Sequence, residues 1–239
     1  MNIYMWSGPR NLSTALMRSF ENRGDMNVWD EPLYAYYLKE TRKNHPLAKD
    51  IINTYETNID KLISNITEDY GEKHSYQKHM THHILEHTPI NWIKQGINCF
   101  LIRDPKAVIQ SYIKKNHLNN SSDIGFPMQI KLFRFIKKFG NKTIVINADD
   151  LSSSPRKVLT KLCKSLNIPF SEKMMSWPKG KRDSDGIWET IWYKNVKLST
   201  NFEKSENNYR EVSDDFKKIY FECLDIFNEL NKYNILNEQ

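Results

Sequence analysis

The opening of the chain constrains the fold most, because a short apolar run there is followed by a tight polar loop and then by a helical pattern. The run Asn2–Trp6 predicts a strand, and the stretch from Ala15 to Asn22 carries its apolar residues on one helix face. A strand, a loop and a helix in this order present backbone N–H groups and a helix N-terminus to an anion. The opening therefore predicts an α/β protein with an anion site at the end of its first strand.

Three more apolar runs predict strands, and helical patterns lie between them. Short strands that alternate with helices are typical of α/β units around a parallel sheet. We therefore predict a three-layer α/β fold with a central, mostly parallel sheet flanked by helices, in a single domain over residues 1–239. The further strands are predicted at Met26–Trp29, Ile97–Ile102 and Thr143–Ala148, and helical patterns at about 39–69, 107–112, 155–166 and 213–231.

Composition narrows the class of protein. The 239 residues carry a net charge of +6, and the basic residues are spread along the chain. That distribution favours a local anion site over a nucleic-acid footprint. No apolar run approaches the roughly 18 residues that a membrane helix needs, and no secretory signal is visible. We therefore expect neither a nucleic-acid nor a membrane partner, and the oligomeric state stays open.

Cysteine usage points to a reducing compartment. The three cysteines, Cys99, Cys163 and Cys223, lie far apart and cannot form an even framework of disulfides. Isolated cysteines of this kind are typical of reduced core thiols in a cytosolic protein. We expect a cytoplasmic location.

The loop Ser7–Thr14 has the residue types of an anion site. Gly8 gives backbone freedom, Arg10 supplies a cation, and Ser13 and Thr14 supply hydroxyls at the start of the helix. The loop is not a Walker A motif, because the second Gly and the Lys of that motif are missing. The absence of these two residues argues against a kinase or NTPase function. From the loop alone, an ordinary strand-to-helix turn remains the alternative.

Two later segments carry further side chains suited to anions. Arg103 follows a predicted strand and Ser111 lies eight residues later, so both can donate to a second phosphate. The segment Trp177–Arg182 puts three cations around Gly180, and Trp188 follows it, which suits a phosphate beside a purine ring. Each piece alone is typical of a solvated turn. The three segments in this order are a stronger signal.

Their order resembles the sulfotransferase family that uses 3′-phosphoadenosine 5′-phosphosulfate (PAPS). Pro9–Thr14 is similar to the family's 5′-phosphosulfate loop, with Arg10 in the place of its Lys. Leu101–Ser111 is similar to the family's 3′-phosphate segment. Ala148–Leu151 resembles the run that closes a later strand, and Lys179–Trp188 resembles the late Gly-containing loop. The likeness is closer to divergent bacterial sulfotransferase-like proteins.

This resemblance implies a P-loop NTPase-like fold, PAPS as co-substrate with 3′-phosphoadenosine 5′-phosphate (PAP) as product, and no metal. It implies transfer of a sulfuryl group to a hydroxyl or amine of a small-molecule metabolite. Two loop residues depart from the pattern, since Leu12 stands in place of Gly and Asn11 in place of Ser. The implied donor-binding residues are Arg10, Asn11, Leu12, Ser13, Thr14, Arg103, Ser111, Lys179, Gly180, Lys181, Arg182 and Trp188.

Sulfuryl transfer needs positive charge at the leaving oxygen and a base at the acceptor. Arg10 is the natural leaving-group cation. Glu31 follows the second predicted strand, at the end where α/β sheets place ligands, and the resemblance implies a Glu base in this region. Cytosolic members of the family use a His two residues after a Lys, but Met80 takes that place after Lys78. We predict Glu31 as base, with Lys78 and His82 as further participants.

Five of the seven histidines fall between residues 74 and 87. In a helix, His79, His83 and His87 would share one face, a spacing that could bind a transition metal. The segment has no His-Glu-x-x-His signature and no thiolate pair. We predict a helix that borders the acceptor pocket and no metal site.

The acceptor itself has no recognisable code. We expect helical and loop segments at about 33–75 and 113–128 to face it. Two alternatives to an active sulfotransferase stay open, a catalytically silent nucleotide-binding or regulatory protein of the same fold and, against the loop sequence, a P-loop kinase or NTPase.

Overall fold

The computed structural model describes residues 1–71, 73–204 and 209–237. Within them, five strands form one sheet in the order β2-β3-β1-β4-β5, and every neighbouring pair is parallel. Parallel neighbours all end at the same edge of a sheet, so the loops that follow them meet there. The strands are β1 Asn2–Ser7, β2 Met26–Asp30, β3 His74–Met80, β4 Ile97–Ile102 and β5 Thr143–Asn147.

Helices flank the sheet, and none of those in the described residues is long and apolar enough to cross a membrane. They are α1 Ser13–Glu21, α2 Tyr34–Thr41, α3 Ala48–Thr54, α4 Ile59–Ile66, α5 Pro105–Tyr112, α6 Phe126–Lys138, α7 Ala148–Ser153, α8 Pro155–Leu166, α9 Glu189–Trp192, α10 Lys194–Leu198 and α11 Lys217–Asn231. Short 3-10 turns lie at Thr81–His83, Asn91–Gln95, Ser121–Ile124, Glu172–Met175 and Asp214–Phe216.

The central strand β1 sends alternate side chains into two apolar cores. Ile3 and Met5 pack on one face with residues of α1 and α8. Tyr4 and Trp6 pack on the other face with residues of α6. Each large apolar side chain buried in this way contributes roughly 1.5–3 kcal/mol, so two helix layers hold the sheet between them. The predicted three-layer α/β fold is confirmed.

The four predicted strands are confirmed as β1, β2, β4 and β5, and the predicted helices after the first, third and fourth of them as α1, α5 and α8. Strands β1, β4 and β5 are apolar and largely buried on both faces, which gives a clear sequence signal. In the C-terminal stretch, helix α11 begins only at Lys217, after a 3-10 turn.

Strand β3 contradicts the prediction of a helix in the His-rich segment. It lies between β2 and β1, where side chains on both faces are buried, yet its sequence is largely polar. Long-range partners offset this polarity, as where the Gln77 amide donates to the carbonyl of Ile66 at 2.8 Å. The histidines therefore occupy a strand and the turn after it, not one helix face.

The polar stretch at about 39–69 is also not one helix. Helix α2 ends before Arg42, which adopts a left-handed conformation with φ 52°, and Pro46 follows. Pro lacks the N–H that a helix interior needs. Asn58 starts α4 by accepting a hydrogen bond from the Lys61 N–H at 3.1 Å. Three short helices result, α2, α3 and α4.

Candidate active site

A cavity of about 460 Å³ lies at the carboxyl edge of the sheet. Its walls come from the loop after β1, the ends of β2, β3 and β4, helix α5 and the segment from Trp192 to Lys204. Ten residues predicted from the sequence line it together, namely Arg10, Asn11, Leu12, Ser13, Thr14, Glu31, Lys78, His82, Arg103 and Ser111.

The loop after β1 is held in one shape by close packing. Arg10 and Leu12 both adopt left-handed backbone conformations, with φ 67° and 62°. At Gly8 a Cβ atom would lie 2.3 Å from the carbonyl oxygen of Ile124, so only glycine fits. The buried Asn11 amide donates to the carbonyl of Leu101 on β4 at 3.2 Å. These contacts hold the loop against β4 and against the turn that contains Ile124.

Two guanidinium groups stand side by side beyond this loop. Arg10 Nε donates to Ser111 Oγ at 2.8 Å, and Arg103 Nη1 donates to the carbonyl oxygen of Arg10 at 2.9 Å. Burial, and then the charge of Arg103, lower the pKa of Arg10. Arg103 also pairs with Asp149 at 3.3 Å and donates to Tyr209 at 3.2 Å. Two cations so placed repel each other, and a bound anion would relieve that repulsion.

On the opposite wall, Lys78 holds the end of β2. Its ammonium lies 2.6 Å from Glu31 Oε1, 2.9 Å from Asp30 Oδ1 and 2.5 Å from the hydroxyl of Tyr193. An ammonium has three N–H donors, so all of them are used. The Tyr193 hydroxyl in turn donates to Asp30 at 2.7 Å, and Trp188 Nε1 donates to that hydroxyl at 3.2 Å. This network is buried and carries one positive and two negative groups.

The network changes the acid–base properties of Glu31. Burial raises the pKa of Glu31, Lys78 lowers it, the neighbouring Asp30 raises it, and the net shift is upward. Burial alone would lower the pKa of Lys78, but the charges of Asp30 and Glu31 outweigh it and raise that pKa. Lys78 therefore stays protonated, and Glu31 is a stronger base than an exposed carboxylate.

Two histidines after β3 complete the wall beside Glu31. Burial lowers the pKa of His82 to about 3 and that of His83 well below its ordinary value, so both rings are neutral at pH 7. The His83 ring stacks on the rings of Tyr34 and Tyr37, with distances between ring centroids of 4.7 Å and 4.8 Å. Its Nε2 atom lies 4.0 Å from Glu31 Oε2.

Both segments expected to face the acceptor contribute to the cavity. Tyr34 and His45 line it from the first segment and Asn116 from the second. The Tyr34 hydroxyl lies 2.5 Å from His45 Nδ1. An ion pair at 3.1 Å between Lys43 and Asp123 joins the two segments.

The basic loop near residue 180 lies elsewhere, since Lys179, Gly180, Lys181 and Arg182 are not among the residues that line the cavity. A buried ion pair at 2.6 Å between Arg18 of α1 and Asp185 fixes this part of the chain. Arg182 lies 3.5 Å from Glu21, and Lys181 lies 3.9 Å from Glu189. The structure therefore places Lys181 and Arg182 against other elements of the protein, outside the cavity.

Trp188 is also absent from the cavity wall. Only 2% of its surface is exposed, and its ring packs against Tyr34 at 5.0 Å and Tyr55 at 5.2 Å. The structure places it in the core behind the Lys78 network, where its N–H reaches Tyr193.

Sequence reasoning missed two groups of residues in or behind the wall. Phe202, Glu203 and Lys204 line the cavity, but they lie in a polar stretch with no motif. Asp30 and Tyr193 bind Lys78 from positions 48 and 115 residues away. The adjacent acidic residues Asp30 and Glu31 were the one sign of this network in the sequence. No local sequence pattern indicated that they would pair with Lys78.

The histidine spacing considered for a metal is not realised. The His79 ring stacks on Trp6 at 4.6 Å in the core, and His87 is exposed beside Glu40. Among residues 1–71, 73–204 and 209–237, no group of three or more His, Cys, Asp and Glu is placed to hold a metal ion.

A parallel sheet in this strand order, with a tight loop between β1 and α1, defines an α/β protein with a P-loop-like architecture. A sequence model of the sulfotransferase domain family matches residues 1–228 of the chain. The chain belongs to this sulfotransferase domain family.

Solved structures agree with this assignment at the level of the fold. The sulfotransferase domain from the Synechococcus PCC 7002 olefin synthase superposes with a TM-score of 0.62 at 16% identity, over 96% of this chain and 94% of that one. The sulfotransferase domain from the curacin biosynthetic pathway gives 0.54 at 16% identity, over 96% of each chain. Mouse sulfotransferase SULT7A1 complexed with PAP gives 0.54 at 12% identity, over 97% of this chain and 88% of that one.

Two curated proteins of Arabidopsis thaliana are more similar in sequence. They are named branched-chain-amino-acid aminotransferase-like proteins 1 and 2, and they are 34% and 32% identical to this chain over 235 residues. The match covers 98% of this chain but 41% of either relative. The chain thus spans about two fifths of the length of these relatives.

Proposed function

We propose that this protein is a PAPS-dependent sulfotransferase that transfers a sulfuryl group to a hydroxyl or amine of a small metabolite. One observation carries the proposal. The paired guanidinium groups of Arg10 and Arg103 and the carboxylate of Glu31 line one cavity at the carboxyl edge of the sheet. Cations for a leaving phosphate and a base for an acceptor are the two requirements of this chemistry.

The donor side is built from the loop after β1 and from α5. Backbone N–H groups of Ser13 and Thr14 lie at the N-terminus of α1, where the helix dipole favours negative charge. Arg10 would neutralise the bridging oxygen as it leaves, and Arg103 with Ser111 would bind the second phosphate. Because a guanidinium keeps its proton, Arg10 acts by charge and hydrogen bonding, not as an acid.

On the acceptor side, Glu31 is the general base. Lys78 fixes Oε1 at 2.6 Å, which leaves Oε2 for the proton of the acceptor. The upward shift of its pKa increases its proton affinity. His82, with a pKa of about 3, and His83, with a pKa well below its ordinary value, are weaker candidates, because such rings bind a proton poorly at neutral pH. We assign them to binding of the acceptor, and Lys78 to positioning of Glu31.

Calorimetric titration with PAP and with ATP, without added metal, tests the donor site. We expect PAP to bind at least about tenfold more tightly than ATP, because the cavity offers cations for two separate phosphates and no Walker Lys. Release of PAP from PAPS in the presence of acceptor alcohols and amines then tests turnover. Tight PAP binding without turnover of any acceptor would favour the silent nucleotide-binding protein, and equal or absent binding of both nucleotides would refute the donor site.

A further inference from the structure

The distance between Glu31 and His83 determines which kind of acceptor group can bind between them. Glu31 Oε2 and His83 Nε2 are 4.0 Å apart, and both residues line the cavity. An oxygen atom can lie about 2.8 Å from each of two atoms at this separation, which is the usual length of a hydrogen bond. The gap therefore accommodates one small group that contacts both residues at once.

The surroundings of the His83 ring fix the atom that carries its proton. Its Nδ1 is enclosed and has no hydrogen-bond partner among the described residues. A proton on Nδ1 would leave a buried N–H unpaired and would direct the Nε2 lone pair at the Glu31 carboxylate, and both cost free energy. With the proton on Nε2, Nδ1 carries an unpaired lone pair in place of an unpaired N–H, and an N–H instead of a lone pair faces the Glu31 carboxylate, so the repulsion at Nε2 is removed. His83 thus presents an N–H donor to the gap, opposite the acceptor oxygen of Glu31.

We propose that Glu31 and His83 together bind the reacting group of the acceptor, and that this group is a hydroxyl and not an aliphatic amine. The inference rests on the proposed function and narrows it to O-sulfation. A hydroxyl donates to Glu31 Oε2 and accepts from His83 Nε2–H at the same time. An aliphatic amine is an ammonium at pH 7, so it has no lone pair to accept that hydrogen bond or to attack sulfur.

In the transfer step, the hydroxyl oxygen forms a bond to sulfur while its proton moves to Glu31 Oε2. The bond from sulfur to the bridging oxygen breaks, and that oxygen keeps the electron pair as part of PAP, next to Arg10. His83 keeps its proton throughout and orients the oxygen, so it is a residue for acceptor binding and specificity.

The rest of the wall suits an uncharged acceptor. Tyr34, His45 and Asn116 line this side with neutral groups, and burial followed by the charge of Lys43 lowers the pKa of His45. Glu31, which also lines the cavity, already faces Lys78, so it attracts a cationic acceptor less strongly than an unpaired carboxylate would.

Two variants of His83 test this role. His83→Phe keeps an aromatic ring against Tyr34 but removes the donor, whereas His83→Gln keeps an N–H donor at the Nε2 position. With PAPS as donor, we expect His83→Phe to lower kcat for benzyl alcohol by about tenfold to a hundredfold, and His83→Gln to restore part of it, with PAP affinity unchanged in both. His79→Phe is the matched control, because His79 is equally buried and stacked on a ring but lies outside the cavity.

Benzylamine, which matches benzyl alcohol in size, tests the specificity. We expect the wild type to favour the alcohol by at least about a hundredfold. Turnover of the amine equal to or above that of the alcohol would overturn the inference while leaving the sulfotransferase proposal intact. Absence of PAP binding would instead refute the proposed function.

The tautomer of His83 provides a test that needs no acceptor. Nitrogen-15 NMR of histidine-labelled protein with bound PAP, with the signal assigned by its loss in His83→Gln, should show the proton on Nε2. A proton on Nδ1 would overturn the inference even if both benzyl compounds prove inert.

Discussion

Glu31 and Lys78 form a buried ion pair of 2.6 Å between the ends of two neighbouring parallel strands. Asp30 lies 2.9 Å from the same ammonium, so one positive charge is shared by two carboxylates. The pair therefore orients Glu31 without cancelling its negative charge. The left-handed backbone of Glu31, with φ 48°, is held by a hydrogen bond of 2.9 Å from its N–H to the carbonyl of Lys78.

Replacing Glu31 by Gln should stop catalysis and spare donor binding. The amide fills the same space but cannot take the proton of the acceptor, so we expect kcat to fall by about a hundredfold or more. PAP affinity, measured by calorimetry, should change by less than about threefold. Glu40→Gln is the control, because Glu40 is half exposed beside His87 and does not line the cavity. A Glu31→Gln enzyme with wild-type turnover would show that another group is the base.

The pH dependence of turnover should report the charge of Asp30. Glu31 must be ionised to act as base, so kcat should fall as pH drops through its raised pKa. Asp30→Asn removes the neighbouring negative charge while Lys78 remains, which lowers the pKa of Glu31. His83 is neutral and Tyr193 stays protonated over this range, so neither of these two neighbours of Glu31 changes charge.

We therefore expect the acid limb of the kcat profile to move to lower pH in Asp30→Asn, by about one unit. Asp60→Asn, at an exposed position of α4, should leave the limb in place. A limb that stays fixed or moves to higher pH in Asp30→Asn would contradict the role given to Asp30.

Much of the fold could be predicted from the sequence, because strands such as β4 are apolar throughout and are bounded by polar turns. Strand β3 could not be predicted from the sequence. Its buried Lys78 is stabilised by Asp30 and by Tyr193, which are far away in sequence, so no local pattern records that the residue lies in the sheet. A polar central strand cannot be recognised from apolar runs in the sequence.

The same difference between local sequence patterns and long-range contacts determines how much of the site could be predicted. The loops after β1 and β4 were predicted, because a strand, a turn and a helix define their place at the sheet edge. The late basic loop was expected at the cavity from its composition, but composition does not show which surface a loop packs on. Here the ion pair between Arg18 and Asp185, 167 residues apart, attaches it to α1.

Gly8→Ala should impair the donor loop. The added Cβ would lie 2.3 Å from the carbonyl oxygen of Ile124, which is backbone and cannot swing away. We expect a loss of about 1–3 kcal/mol in the free energy of unfolding and at least about tenfold weaker PAP binding, measured by urea titration and calorimetry. Gly140→Ala, at a position with open space around it, should leave PAP affinity unchanged. Wild-type PAP affinity in Gly8→Ala would contradict this description of the loop.

Two cations should differ sharply in their effect on donor binding. Arg103 lines the cavity, whereas Lys181 is exposed and outside it. We expect Arg103→Ala to weaken PAP binding by about tenfold or more, because a charge-assisted hydrogen bond to phosphate is lost. Lys181→Ala should change it by less than about twofold. The two variants are compared by calorimetry at one salt concentration. An equal loss of PAP affinity in both variants would show that the late basic loop belongs to the donor site.

Acid should destabilise the fold through its buried histidines. Burial lowers the pKa of His79 to about 3, whereas an unfolded chain gives about 6.5. The unfolded state thus binds more protons below pH 6.5, so stability is present above that pH and is lost as pH falls toward 3. Replacing His79 by Phe removes this linkage. We expect the fall in the free energy of unfolding between pH 7 and pH 5, measured by urea titration, to be about 2 kcal/mol smaller than in the wild type. The exposed His87 serves as the comparison, since His87→Gln should leave the fall unchanged. An equal fall in His79→Phe and the wild type would mean that His79 gains its proton in the folded protein as readily as in the unfolded chain.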